Sequence, residues 1–141
     1  MSFGVAPDEQ RRIDQLARIA RFSDFTDAEI RAVGEAGTYL TVPEHWALMV
    51  EHTPADKAYL ILAGEVSVRR HGEEVARLGP GEIIGEMALL NHKLRSATVV
   101  AESRLEALHF TAEAIASLRR SVPHFGEALA EAAAERGPDQ G

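Results

Sequence analysis

No cysteine occurs in these 141 residues. Disulfides and thiolate metal sites are therefore excluded, and cysteine says nothing of the redox compartment. Long apolar runs are also missing: nothing approaches the roughly 18 residues a membrane-spanning helix needs. The N-terminus, MSFGVAPDEQRR, lacks the positive-then-apolar pattern of a secretory signal. A cytoplasmic chain with no membrane partner is the resulting expectation. Clustered positive charge is absent too. Net charge is −7, and the compact basic runs are the pairs Arg11-Arg12, Arg69-Arg70 and Arg119-Arg120. Nucleic-acid binding needs more cations on one face than that, so no nucleic-acid partner is expected. An acidic chain that binds a small anion must place a cation against its own field, which makes single arginines informative.

What is present suits one domain over 1–141. Residues 8–22 carry Ile13, Leu16, Ile19 and Phe22 at helical spacing. Thr26 to Glu29 matches a capping box ahead of a second helix bearing Ile30, Val33 and Ala36. From Thr38 the period changes to two. Strands are expected at 39–42, 46–50, 57–63, 65–69, 73–78, 95–102 and 104–110, with Trp46 a half-buried strand residue. His71-Gly72 is a hairpin turn signal. Short strands at this spacing predict an antiparallel, jelly-roll-like barrel flanked by helices. Thr111 caps a helix over 112–120, and Pro123 opens a last helix through Arg136. The tail GPDQG is expected to fray. The expected layout is N-terminal helices over 1–37, the barrel over 38–110 and C-terminal helices over 111–136.

The chemistry concentrates in GPGEIIGEMALLNHKLRSATVVA, residues 79–101. Gly85 lets backbone approach a ligand closely. Residues 86–90 form about one helical turn, whose first N–H groups, including those of Met87 and Ala88, face an anion favourably. Glu86 at its mouth accepts from a sugar hydroxyl. Arg95 can fork two donors onto a phosphate, and Ser96 adds a hydroxyl. Val68, Val75 and Ala76 precede the turn on paired strands, where an apolar slot for a flat base would lie. A cyclic nucleoside monophosphate needs these features together.

The residues from Tyr59 to Val99 resemble the cyclic nucleotide-binding domain of catabolite activator protein, protein kinase A regulatory subunits and cyclic-nucleotide-gated channels. The matching pieces are YLILAGEVSV, RLGPGEIIGEMALL and RSATV, with nine residues from Glu86 to Arg95. RFSDFTDAEI upstream and the Pro-led last helix agree as well. The resemblance covers about residues 16–136, with a phosphate-binding cassette at 81–97. It implies that Gly85, Glu86, Ala88, Arg95 and Ser96 hold the ribose phosphate, with Ile84 and Ala97 beside them, and that the final helix closes as a lid. Arg136 is either a surface residue or a basic group set over the base. Serine at 96 favours cAMP over cGMP.

The sequence departs from the family where His45 and His52 replace glycines, where Ile84 replaces a phenylalanine, and where no output segment follows Arg136. The expectation is a stand-alone sensor, monomer or weak dimer, that signals to a separate protein effector without a cofactor. The alternatives are a non-binding scaffold of the same fold, or the ligand-binding half of a transcription regulator. His45 and His52 stand seven apart, and no pair of histidines shows metal-ligand spacing, so no metal site is expected. No nucleophile-elbow signature occurs, so no enzyme is expected.

Overall fold

The computed structural model describes residues 7–136, and the tail expected to fray lies outside them. Five α-helices, one 3₁₀ turn and eight strands follow in chain order. Helix α1 (Pro7–Ala17) stops short of the expected 22. The 3₁₀ turn Ala20–Phe22 takes over, with Ile19 extended ahead of it. Helix α2 (Asp27–Ala36) starts on the capping box: the Thr26 hydroxyl accepts from the Glu29 N–H, and the Glu29 carboxylate accepts from the Thr26 N–H. Each bond satisfies a backbone donor that the helix start would otherwise leave open.

The strands are β1 (Thr38–Val42), β2 (Ala47–Met49), β3 (Ala58–Ala63), β4 (Val66–Arg70), β5 (Glu73–Leu78), β6 (Ile83–Ile84), β7 (Thr98–Ala101) and β8 (Leu105–Phe110). They form two four-stranded antiparallel sheets, ordered β1-β8-β3-β6 and β2-β7-β4-β5. Period-two alternation divides each strand between two environments. On β3 and β8, Ile61, Leu105 and Ala107 turn inward with Val42, Met49, Val66, Val68, Ile84, Ala97, Val99 and Ala101. Ala58, Leu60, Leu62, Leu108 and Phe110 face the opposite way. They meet Leu16, Phe22, Ile30 and Val33 from the N-terminal helices and Ile115, Leu118, Phe125 and Leu129 from the C-terminal ones. The helices therefore lie over one sheet, and the core is split between a sheet–sheet and a sheet–helix layer.

Two expectations are corrected. Trp46 precedes β2 and is 66% exposed, because the tight turn after Pro43 leaves its ring outside both layers. The stretch 95–97 is not strand. Its backbone is spent on the β2–β3 turn, where Arg95 donates to the Thr53 carbonyl and accepts from the His52 N–H. β6 went unrecognised, since two isoleucines after a Gly-Pro-Gly turn carry no alternation to read. The histidines that stand where the family has glycine do occupy left-handed backbone, His45 at φ 75° and His52 at φ 68°. Each costs roughly 1 kcal/mol or more relative to glycine's freedom there.

Between the N-terminal helix and the sheet, Arg11 donates twice to the Glu106 carboxylate, at 2.6 and 2.8 Å, and the Tyr39 hydroxyl donates to it at 2.5 Å. The Arg11 hydrogen bond, helped by Tyr39, holds the Glu106 carboxyl down at about 2 against the opposing effect of burial. A carboxylate depressed in the folded state stabilises fully above its unfolded range, and that contribution is lost as pH falls toward about 2. Glu106→Gln is expected to lower the urea midpoint at pH 7, with the gap to wild type closing as pH falls from 5 toward 2. A gap that stays constant over that range would show that the charge contributes nothing.

Candidate functional site

The cassette starts on β6 and turns at Gly85. Helix α3 (Glu86–Leu90) follows, then a loop, then Arg95. Gly85 has φ +82°, a conformation that favours glycine. Its second constraint is steric. A Cβ there would overlap the Arg95 guanidinium and lie 2.9 Å from the Met49 methyl. The glycine expected to admit a ligand thus admits the arginine side chain first.

Arg95 is 3% exposed. Its Nη1 donates to the Gly85 carbonyl at 2.9 Å, and its Nη2 donates to the Lys57 carbonyl. The Gly85 carbonyl also accepts from the Leu89 N–H that opens α3. One backbone oxygen therefore joins the helix and the arginine. Burial pulls the Arg95 guanidinium below its ordinary range, while Tyr59, Asp56 and Glu86 act the other way. A guanidinium is the most basic side chain and stays a cation in proteins. Glu86, the first residue of α3, is 2% exposed. A buried cation and a buried carboxylate thus bracket the Gly85 turn.

The expected residues separate into groups. Gly85, Glu86, Ala88 and Arg95 come together around the α3 start, with Ala88 buried at 4%. Ile84, Val68 and Ala97 are buried in the layer between the sheets. Ser96 is half-buried, and its carbonyl accepts from Arg70 Nε at 3.2 Å. Val75 occupies a register shift of β5 opposite Val68 and Arg69 and is 44% exposed, whereas Ala76 packs partly on the inner layer. The Met87 and Arg136 side chains lie outside the described residues.

Sequence reasoning missed Met49, Lys57, Tyr59 and Arg70. Met49 lies against Gly85, and Tyr59 pairs with Ile84 while its hydroxyl donates to the Leu48 carbonyl. Alternation on β2 and β3 placed Met49 and Tyr59 inward, which was the available signal. Lys57 acts through its carbonyl, which has no side-chain signature. Among the described residues, no group of three or more His, Cys, Asp or Glu is placed to hold a metal ion, and no helix is long and apolar enough to cross a membrane.

The profile of the cyclic nucleotide-binding domain matches residues 39–121. The chain belongs to that family. It is 36% identical over 93 residues to a cAMP-dependent protein kinase regulatory subunit of Yarrowia lipolytica, covering 64% of this chain and 25% of that one. It is 30% identical over 129 residues to a cyclic nucleotide-gated potassium channel of Mesorhizobium japonicum, covering 92% and 36%. The catabolite activator protein of Thermus thermophilus superposes with a TM-score of 0.73 at 28% identity, over 82% of this chain and 57% of that one. The chain thus spans between a quarter and just over a third of the length of these two curated relatives. What they share with it is a cyclic nucleotide-binding regulatory domain.

The double demand on Gly85 is testable against Gly72, which has φ +83° with nothing within 4 Å of an added Cβ. Gly72→Ala is expected to cost about 1 kcal/mol from backbone conformation alone. Gly85→Ala is expected to cost at least twice as much in urea denaturation, because the guanidinium must also move. Equal costs would mean that the close approach of Arg95 is not limiting.

Proposed function

We propose that this chain binds a cyclic nucleoside monophosphate at the 81–97 cassette, cAMP in preference to cGMP, and relays its occupancy to a separate protein through its C-terminal helices. The observation that carries the reading is the buried Arg95 guanidinium, bonded to the Gly85 carbonyl one residue before the buried Glu86. A permanent cation with planar donors suits a phosphate, and a carboxylate nearby suits a ribose hydroxyl. Both lie at the start of α3, where backbone N–H groups add partial positive charge. Net charge of the whole chain is −7, so this cation works against the prevailing field, and a ligand of one negative charge is better matched than a polyanion.

In this reading Gly85, Ala88, Arg95 and Ser96 hold the phosphate, and Met87 contributes its backbone N–H. Glu86 takes the ribose hydroxyl. Ile84, Ala97, Val68 and Val75 border the base. Arg136 is the candidate basic partner of the base. Val75 is the exposed apolar side chain on that path, and a flat base stacked there would cover it. The cAMP-dependent relative is in accord with the base preference. The ligand is the signal, and a population shift of helices α4 (Ala112–Ser121) and α5 (Pro123–Arg136) is its output.

Titration calorimetry with cAMP and cGMP, on wild type and Arg95→Ala, tests the site. Removing the buried partner of a phosphate is expected to cost about 2–5 kcal/mol in binding. Binding of neither nucleotide by wild type would defeat the reading and favour the scaffold alternative. Undiminished binding by Arg95→Ala would remove that residue from the site. Base choice is tested separately: Ser96→Thr keeps the hydroxyl and adds one methyl, which restricts the direction of the hydroxyl, and is expected to raise cGMP affinity relative to cAMP by about fourfold, one buried methyl being worth about 0.8 kcal/mol. An unchanged ratio would take Ser96 out of base selection.

A further inference from the structure

Arg21, in the 3₁₀ turn, plays no part in the site described, yet its side chain is only 9% exposed. Nε donates to the Gly81 carbonyl at 3.0 Å. Nη2 donates to Glu82 at 3.0 Å and to Glu135 at 2.5 Å. Nη1 donates to Glu131 at 3.1 Å and to Glu135 at 3.2 Å. A guanidinium has five N–H donors, and these five bonds engage all of them. They join three separate parts of the chain: the N-terminal turn, the turn that leads into β6, and the last turns of α5.

Glu131 and Glu135 are four residues apart and share one face of α5. Their carboxylates are 60% and 52% exposed, so solvent can replace Arg21 as their partner at low cost. The apolar contacts of α5 are unevenly distributed. Phe125, Ala128 and Leu129 are buried in its first half, and beyond residue 129 the buried residue is Ala132. A single methyl group gives little grip. The first half of α5 is thus held by apolar burial and the second half by charge. Isolated surface ion pairs contribute little, but one well-buried guanidinium shared by three carboxylates is the network geometry in which they do contribute. A recess of about 310 Å³ is lined by this guanidinium and its three carboxylates together with Ile19, Ala20, Pro80 and Gly81. At the other end, three residues separate Gly81 from Gly85, and the two-residue β6 lies between them. The short segment that carries the Gly85 turn is therefore the one whose Gly81 carbonyl Arg21 holds.

We propose that Arg21 is a releasable latch that couples the lead-in of the cassette to the second half of α5, so that occupancy of the site and the docking of 130–136 are thermodynamically linked. The coupling rests on the ligand-binding reading above, while the latch itself can be measured without ligand. Coupling is reciprocal: what changes α5 docking changes ligand affinity by the same factor.

The test uses hydrogen exchange and calorimetry on wild type, Arg21→Gln and the surface double variant Glu131→Gln/Glu135→Gln. The double variant breaks the same link while leaving Arg21 on Gly81. Without nucleotide, both variants are expected to speed amide exchange over 130–136 by about tenfold or more, with 123–129 and the strands unchanged. Raising salt from 0.05 to 1 M is expected to speed wild-type exchange over 130–136 and to leave the variants unaffected. Both variants are expected to change cAMP affinity in the same direction by at least about threefold. Unchanged exchange over 130–136 in the variants would overturn the latch. So would acceleration spread evenly over the fold, which marks a merely structural role. Altered exchange with unaltered cAMP affinity would overturn the coupling. A wild type that binds neither nucleotide would defeat the coupling through the reading it rests on, and the exchange result would still decide whether Arg21 holds α5.

Discussion

The bond from the Arg95 guanidinium to the Gly85 carbonyl is the constraint on which the site depends. A buried cation is costly unless its donors are met, and this one meets backbone carbonyls on both sides, Gly85 and Lys57. It joins the end of β6, the start of α3 and the stretch before β3. It also fixes the residue type at 85, since a side chain there would occupy the same space. The Arg95 backbone is held in turn by the β2–β3 turn, through Thr53 and His52. A site built this way is positioned from the main chain outward. In the proposed reading the arginine is therefore oriented in advance of a phosphate, and less ordering entropy would oppose binding.

Charge is arranged in three separate places by the same logic. Arg11 and Tyr39 serve Glu106, Arg95 faces the Gly85 turn and Glu86, and Arg21 gathers Glu82, Glu131 and Glu135. Each arginine joins segments far apart in sequence. In an acidic chain, each also offsets local negative charge that would otherwise push elements apart. The outer face of the second sheet repeats the pattern at lower stakes, with Arg69 and Arg77 among Glu74 and Glu102 in solvent.

What the sequence revealed follows from how local each signal is. Thr26 and Glu29 announce a helix start because both bonds close within four residues. His71-Gly72 announces a hairpin because two left-handed residues in succession fit the turn that joins twisted strands. Gly85, Glu86 and Arg95 were legible as neighbours because they lie within one short turn-and-loop segment, and the structure brings them together at the start of α3. The contacts of Arg95 were not, since a carbonyl such as that of Lys57 carries no residue identity. The Arg21 network joins residues 110 and 114 positions apart, with nothing local to mark it. Trp46 misled because an aromatic next to an alternating run reads as strand, while the preceding turn decides where it points.

The pairing of β6 has a mechanical consequence. Its residues meet β3 at two register positions, Tyr59 with Ile84 and Leu60 with Ile83, whereas β8 holds β3 at five. The segment bearing the glycine, the acid and the start of α3 is thus tied to β3 by a short seam, extended by the bonds that Ile61 makes with Gly81 and Glu82. A displacement of Gly85 would bear on this seam, and on the Gly81 end of it, before it reached the longer β3–β8 pairing.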